Sequence, residues 1–219
     1  MQEKRAAAEA AAELVENGMT VGLGTGSTEH ELLPVLARRN LSIRCVATSQ
    51  RTESEARALG IPVEPFGSIE RFDLTIDGAD QIAPDGWLVK GGGAAHTREK
   101  IVAAAADRFI VIADSTKPVD ALRGPVPLEL LTFGLYATMR RLRIATGSEV
   151  VLRDVPASPD GGVIADLQGP LNDPVALATL LGGMPGLVEH GLFPPDLVAV
   201  AFVGRGDAAE RLDLRPSAD

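Results

Sequence analysis

Residues 21–28 read Val-Gly-Leu-Gly-Thr-Gly-Ser-Thr and carry the chain from an apolar run through closely spaced glycines into a helical segment. Glycines this close together let a ligand approach the backbone. The free N–H groups at the start of the following helix favour an anion such as phosphate. The first glycine turn, residues 24–28, therefore predicts the strand, anion-binding turn and helix that open a parallel sheet.

Two nucleotide-binding motifs can be tested against this turn. A dinucleotide fingerprint needs glycine at position 27 and an acid after the next strand, where the chain has Ser27 and Thr48-Ser49. A P-loop needs Gly-Lys followed by Ser or Thr, which this stretch lacks. An interpretation without ligand remains open, because Thr28 and Glu31 also fit a helix capping box.

Outward from the turn, the first half of the chain alternates apolar runs with Ala- and Glu-rich helical stretches, the βα rhythm of a parallel sheet. FIVIAD (109–114) is continuously apolar, which is typical of a strand covered on both faces. Pro34 should kink or shorten the second helix. The predicted elements are helix 3–16, strand 19–23, helix 28–38, strand 42–47, helix 50–59, strand 74–77, helix 97–106 and strand 109–114.

After Lys117 the pattern changes to that of a smaller α+β domain at 125–197. LVAVAFVG (197–204) predicts a strand that returns to the first sheet, before a fraying tail. We therefore predict an α/β fold whose larger domain, a mostly parallel sheet with helices on both faces, covers 1–124 and 198–219. The smaller domain follows a Pro-rich joint, GPVPLE, and contains a helix near 131–145, the strands EVVLRD and GGVIADL, a helix after Asn172-Asp173-Pro174 and a strand near 186–190.

Composition excludes several classes of partner. The chain has 219 residues, 45% of them hydrophobic, and a net charge of −9. Nucleic acid is not expected as a partner, because binding to phosphate backbones needs clustered Lys and Arg. No apolar run reaches the roughly 18 residues of a membrane span, and MQEKRAAAEA lacks the order of a signal peptide, so a soluble cytoplasmic protein is expected. Cys45 lies in an apolar stretch and is predicted to be a buried thiol.

A second candidate loop is Asp77-Gly78-Ala79-Asp80, directly after the predicted strand at 74–77. Parallel sheets place their ligand crevice at the carboxyl ends of strands. Two carboxylates three residues apart could bind sugar hydroxyls or exchange protons with a ring oxygen. A simple Asp-Gly turn explains the same residues without a ligand.

The third loop, Lys90-Gly91-Gly92-Gly93 and the following residues to Lys100, is the most informative. Three consecutive glycines cost conformational entropy on folding, which indicates a need for close backbone approach. Lys90 offers a charge for a phosphate or an oxyanion, and Glu99 enters the first turn of the next helix. Glu99 could equally be an exposed acid paired with Lys100 or Arg98.

Lys117, after the strand FIVIAD, is a further candidate ligand at a strand end. The three histidines are scattered and there is one cysteine, so no metal site is expected.

These loops, taken in order, resemble the type A ribose-5-phosphate isomerases of the pentose phosphate pathway. The resemblance covers nearly the whole chain and departs mildly at His96 and Pro34. It rests on GLGTGST, TSQRTESEARALGI, DGAD, KGGGAAHTREK, ADSTK, PVPLE and a late GLF.

The resemblance implies interconversion of ribose 5-phosphate and ribulose 5-phosphate, without cofactor or metal, on a Rossmann-like sheet with a smaller domain. It implies a homodimer or homotetramer that binds a pentose 5-phosphate. Glu99 falls on the family's proton acceptor. The positions that fall on its substrate-contacting loops are Thr25, Gly26, Ser27, Thr28, Asp77, Gly78, Ala79, Asp80, Lys90, Gly91, Gly92, Gly93 and Lys117, with Lys4 as an added phosphate contact.

The chemistry of a carbonyl shift agrees with this assignment. One base must carry a proton between C1 and C2, and a donor must stabilise the enediolate oxygen. We therefore expect Glu99 to act as base, Lys90 to stabilise the oxyanion, and Asp77 with Asp80 to assist ring opening. Two rival interpretations remain: a deaminase-like or CoA-transferase-like relative on the same sheet type, and a sugar-phosphate sensor without catalysis.

Overall fold

A computed structural model describes residues 1–67 and 69–214. The chain divides into two compact units. The first comprises residues 1–79, 98–118 and 195–219, and the second comprises 80–97 and 119–194. The predicted domain boundaries differ from this division over 80–97, 119–124 and 195–197, and the domain assignment stays a prediction.

A six-stranded sheet forms the centre of the first unit. Its strands are β1 (Thr20–Leu23), β2 (Arg44–Ala47), β3 (Leu74–Gly78), β6 (Phe109–Asp114), β12 (Val198–Arg205) and β13 (Ala208–Leu212). They lie in the order β13-β12-β6-β3-β1-β2. All neighbours are parallel except β12 and β13.

Helices cover both faces of this sheet, as the sequence predicts. The helices are α1 (Gln2–Ala12), α2 (Glu29–Arg39), α3 (Gln50–Ala58) and α4 (His96–Ala104), whose first two residues belong to the second unit. Val21 and Leu23 of β1 join the core cluster that includes α1 and α2. Gly22 lies between them and meets Val102 of α4. Since successive strand residues point to opposite faces, α4 covers the other face.

The second unit has two antiparallel sheets. The larger contains β7 (Val126–Leu130), β8 (Val150–Leu152), β9 (Val163–Leu167) and β10 (Leu187–His190), in the order β10-β7-β9-β8. The smaller contains β4 (Gln81–Ile82), β5 (Leu88–Val89) and β11 (Leu192–Phe193). Helices α5 (Leu135–Thr146) and α6 (Pro174–Gly182) add apolar side chains to the core, and Asp173 caps α6 by accepting from the Ala176 N–H.

Three local expectations are corrected. The joint GPVPLE contains a central strand, β7, which pairs with β9 and β10. Pro127 lies opposite Asp166 of β9 despite its missing N–H. Pro34 does not shorten α2, which runs from Glu29 to Arg39. The predicted fraying tail begins at Arg211, but Arg211 and Leu212 belong to β13. Residues 215–219 lie outside the described part. No helix of the described residues is long and apolar enough to cross a membrane.

Candidate functional site

The strand order of the first unit locates a ligand crevice. β1 is followed through α2 by β2 on one side, whereas β3 lies on the other side of β1. The carboxyl ends of β1 and β3 are therefore the topological switch point, where open α/β sheets bind ligands. The first glycine turn follows β1, and Asp77 lies near the end of β3.

Asp77 is a buried carboxylate held by backbone donors. Its Oδ1 accepts from the Thr25 N–H at 3.0 Å and from its neighbour Gly78 at 2.7 Å. A Cβ on Gly24 would lie 2.0 Å from the carboxylate carbon. Glycine at position 24 therefore leaves room for the Asp77 carboxylate directly beside the turn.

Threonine hydroxyl groups also hold the first glycine turn in place. The Thr25 Oγ1 lies 2.9 Å from the Thr48 hydroxyl and 3.2 Å from the Thr52 hydroxyl. Thr52 donates to the Gly24 carbonyl at 2.9 Å. Thr28 is buried and makes no capping hydrogen bond to α2. The capping-box interpretation of this turn is therefore wrong for the side chain of Thr28.

Two lysines of the candidate site lie near Asp114, at the end of β6. Lys4 donates to the Ser27 hydroxyl at 2.7 Å and lies 3.7 Å from the Asp114 carboxylate. Burial alone would raise the pKa of Asp114. Hydrogen bonds from Thr116, and the charges of Lys117 and Lys4, hold that pKa below its usual value instead. Lys4 therefore adds positive charge to the glycine turn from α1.

Glu99 lies in the first turn of α4 and is only 3% exposed. The sequence also allowed Glu99 to be an exposed acid paired with a neighbouring basic residue. Its burial excludes that alternative. A carbonyl shift needs a base that takes a proton from one carbon and returns it to its neighbour, and a buried carboxylate can serve as that base.

The triple-glycine loop, residues 90–94, belongs to the second unit. Lys90 is 2% exposed, and its Nζ lies 5.4 Å from the centre of the Phe193 ring. The Gly92 N–H donates to Asp80 Oδ2 at 2.7 Å, so Asp80 and the loop are joined directly. Gly92 and Gly93 are exposed, which leaves their backbone open to a ligand.

The remaining predicted positions are backbone positions. Gly26 has φ +149°, and Gly91 has φ +105°, both in the region that favours glycine. Gly78 ends β3, and Ala79 follows it as the last residue before the second unit. Among the described residues, no group of three His, Cys, Asp or Glu side chains could hold a metal ion.

Two polar residues near these loops are absent from the sequence prediction. Arg153, after β8, donates to the carbonyls of Gly91 and Gly92 at 2.7 and 3.3 Å. Glu129, buried in β7, accepts hydrogen bonds from the hydroxyls of Thr97 and Ser158. Glu129 is the last residue of PVPLE, to which the sequence prediction gave no functional role, and Arg153 lies in none of the motifs that carry the resemblance. The contacts of both residues depend on strand pairings that the sequence pattern does not specify.

The first unit has the form of an α/β protein that binds a small anionic ligand at the switch point of its sheet. Comparison with known proteins identifies the family within this class. The model of the family ribose 5-phosphate isomerase A (phosphoriboisomerase A) matches residues 44–208. The chain belongs to that family.

Individual relatives agree over nearly the full length. A ribose-5-phosphate isomerase A of Caulobacter vibrioides is 45% identical over 96% of this chain and 97% of its own. The crystal structure of ribose 5 phosphate isomerase A from Neisseria gonorrhoeae has a TM-score of 0.92 at 31% identity, with 99% of each chain covered. A D-ribose-5-phosphate isomerase in complex with phospho-erythronic acid has a TM-score of 0.90 at 32% identity, covering 96% of this chain and 97% of its own.

Proposed function

We propose that this protein interconverts D-ribose 5-phosphate and D-ribulose 5-phosphate by proton transfer through an enediolate. Membership of the ribose 5-phosphate isomerase A family supports the substrate and the reaction. The observation that carries the mechanism is the burial of Glu99 in the first turn of α4. Burial excludes water, which limits leakage of the proton that the carboxylate carries between the two carbons.

The substrate first has to open, because only the open-chain aldehyde can transfer its C2 proton. Asp77, with Asp80 as its partner along the chain, assists ring opening by exchanging a proton with the ring oxygen. The two backbone donors on Oδ1 of Asp77 fix the orientation of its carboxylate.

Glu99 then removes the proton from C2, and the electron pair of the broken C–H bond forms the C1–C2 double bond. Negative charge develops on the C1 oxygen, where Lys90 and the N–H groups of the triple-glycine loop stabilise it. A proton moves from the C2 hydroxyl to the C1 oxygen, and Glu99 returns its own proton to C1. The product is the ketose, and the protein is regenerated.

Residues 25–28 hold the phosphate, with Lys4 and Lys117 as additional positive charges. Binding energy at this remote group fixes C1 and C2 against the base, so it lowers the barrier as well as the KM. The complex of a structural relative with phospho-erythronic acid supports a site for a phosphorylated sugar acid.

Isomerisation in deuterated water tests this proposal. Ribose 5-phosphate is incubated with the protein, with and without EDTA, and the product is examined by NMR. Deuterium that enters C1 or C2 in both samples supports proton transfer by a protein group. Turnover that occurs only without EDTA and brings no deuterium into the product would favour a metal-dependent hydride shift and contradict the proposal.

The variant Glu99→Gln tests the role of Glu99 as the base independently of substrate binding. It should lose turnover while it keeps its fold and most of its affinity for phospho-erythronic acid. A Glu99→Gln protein with near wild-type turnover would disprove the role of Glu99.

We also propose that the chain is cytoplasmic and forms a homodimer or homotetramer. Phe133 and Tyr136 of the second unit are 91% and 75% exposed, which is unusual for aromatic side chains that face only water. Cys45 is a single buried thiol, and such usage is common in reducing compartments. Light scattering tests the oligomer, and Phe133→Asp should lower its mass if this surface is the contact.

A further inference from the structure

Arg153 connects the triple-glycine loop to the larger sheet of the second unit. Its Nε and Nη2 donate to the two carboxylate oxygens of Asp166 at 2.7 and 2.6 Å. Its Nη1 donates to the Gly91 and Gly92 carbonyls. Arg153 and Asp166 are each 17% exposed at the side chain, so this contact is largely shielded from water.

The two carbonyl contacts determine where the loop N–H groups point. In a trans peptide the C=O and the following N–H lie on opposite sides of the peptide axis. The carbonyls of Gly91 and Gly92 both face Arg153, so the N–H groups of Gly92 and Gly93 face away from it. The Gly92 N–H meets the Asp80 carboxylate on that opposite side, as this geometry requires.

A tight turn keeps the loop in this conformation. The Ala94 N–H donates to the Gly91 carbonyl at 3.0 Å, so that carbonyl accepts two hydrogen bonds. Gly91 and Ala94 have φ values of +105° and +61°. A positive φ costs energy at alanine, so contacts outside the turn are needed to maintain it.

We propose that Arg153, held by Asp166, is a positioning residue for the reaction: it orients the Gly93 N–H as a donor to the enediolate oxygen, while the Gly92 N–H stays bonded to Asp80. Backbone N–H groups of successive residues that point in one direction form anion-binding concavities. The catalytic value of such a donor depends on its orientation before the charge develops. This inference rests on the proposed function, since the oxyanion arises only in that reaction.

Arg153→Gln removes the planar fork, and Arg143→Gln is its matched control. Arg143 also donates to a backbone carbonyl, that of Val150, and lies 3.3 Å from the Glu149 carboxylate. No hydrogen bond of Arg143 to the triple-glycine loop is present in the described structure. We expect Arg153→Gln to lower kcat by about 10- to 100-fold with little change in KM. Arg143→Gln should change kcat by less than about twofold.

Inhibitors distinguish orientation from general loss of structure. Phospho-erythronic acid carries a carboxylate where the enediolate develops charge, so its inhibition constant should rise with the loss in kcat. Inorganic phosphate, a probe of the first glycine turn alone, should bind both variants as it binds the wild type. Equal loss for both inhibitors would indicate a structural defect and overturn the proposal.

Two further variants keep the test valid if Arg153→Gln folds poorly. Arg153→Lys keeps the charge without the planar fork and should fall between wild type and Arg153→Gln. Asp166→Asn weakens the anchor of Arg153 and should show the same inhibitor selectivity to a smaller degree. Wild-type kcat in all three variants would overturn the proposal.

Amide hydrogen exchange tests the loop independently of catalysis. Arg153→Gln should accelerate exchange of the Gly92 N–H and shift the Gly92 and Gly93 amide resonances, whereas Arg143→Gln should leave them unchanged. An inactive wild-type protein would refute the proposed function, and the exchange data would still decide whether Arg153 orients the loop. Unaltered Gly92 and Gly93 amides in Arg153→Gln would refute that role.

Discussion

Replacing Gly24 by alanine tests the contact between the first glycine turn and Asp77. The new Cβ would lie 2.0 Å from Cγ and Oδ1 of Asp77, whereas ordinary contact begins at 3.4 Å. The carboxylate must therefore move by about 1.4 Å, or the turn must move away from it. Either shift breaks the hydrogen bond from the Thr25 N–H at 3.0 Å.

A displacement of this size predicts a catalytic defect larger than the defect in stability. Misplacing a reacting group by 1 Å costs about 100-fold in rate. We therefore expect kcat/KM for ribose 5-phosphate to fall by about 100-fold in Gly24→Ala. Overpacking itself should lower the free energy of unfolding by about 1–3 kcal/mol. A coupled assay of ribulose 5-phosphate formation and urea denaturation measure the two effects.

Gly22→Ala, in β1 two residues before Gly24, provides the control. Its Cβ would lie 2.4 Å from the Thr75 hydroxyl and 2.5 Å from a Val102 methyl group, away from Asp77. This variant should lose comparable stability and retain kcat within a few-fold. Equal catalytic losses in Gly22→Ala and Gly24→Ala would refute the inference that Gly24 acts through Asp77.

Three other substitutions or treatments test separate parts of the first unit. Thr28→Val keeps the shape of a buried side chain but removes its hydroxyl, so KM should rise about tenfold while the melting temperature changes little. An unchanged KM would show that Thr28 does not bind the phosphate. Lys4→Met should weaken inhibition by inorganic phosphate by about two- to fivefold, measured at low salt. Burial, with the charges of Glu64 and Glu29, raises the pKa of Cys45 to about 12, so a thiol reagent should label the folded protein at pH 8 only through unfolding. The stability that this shift contributes is complete below the ordinary pKa of 9.0 and is lost as the pH rises toward 12.

The parallel sheet was predictable because its strands are short, mainly apolar runs that alternate with helical stretches. FIVIAD corresponds to β6 residue for residue, at Phe109–Asp114. By contrast, β7 contains Pro127, and proline within a run argues against a central strand. Its place in the sheet depends on pairing with β9 and β10, which no local pattern reveals.

The same distinction applies to the candidate site. Asp77 and the glycine turn were predictable from strand ends, since parallel strands bring their carboxyl ends to one edge. Glu99 could be named from the resemblance, but its burial depends on tertiary packing. Arg153 could not be found, because its partner Asp166 is 13 residues away and meets it only through the register of β8 and β9.

The two aspartates of the DGAD motif explain why particular glycines are needed. A Cβ on Gly24 would meet the Asp77 carboxylate at 2.0 Å, and a Cβ on Gly92 would meet Asp80 Oδ1 at 2.7 Å. Each carboxylate also accepts a backbone N–H from the same turn, that of Thr25 or Gly92. The glycines thus make room for the protein's own acids as well as for a ligand. Any larger residue at position 24 or 92 should therefore impair the acid before it blocks the substrate.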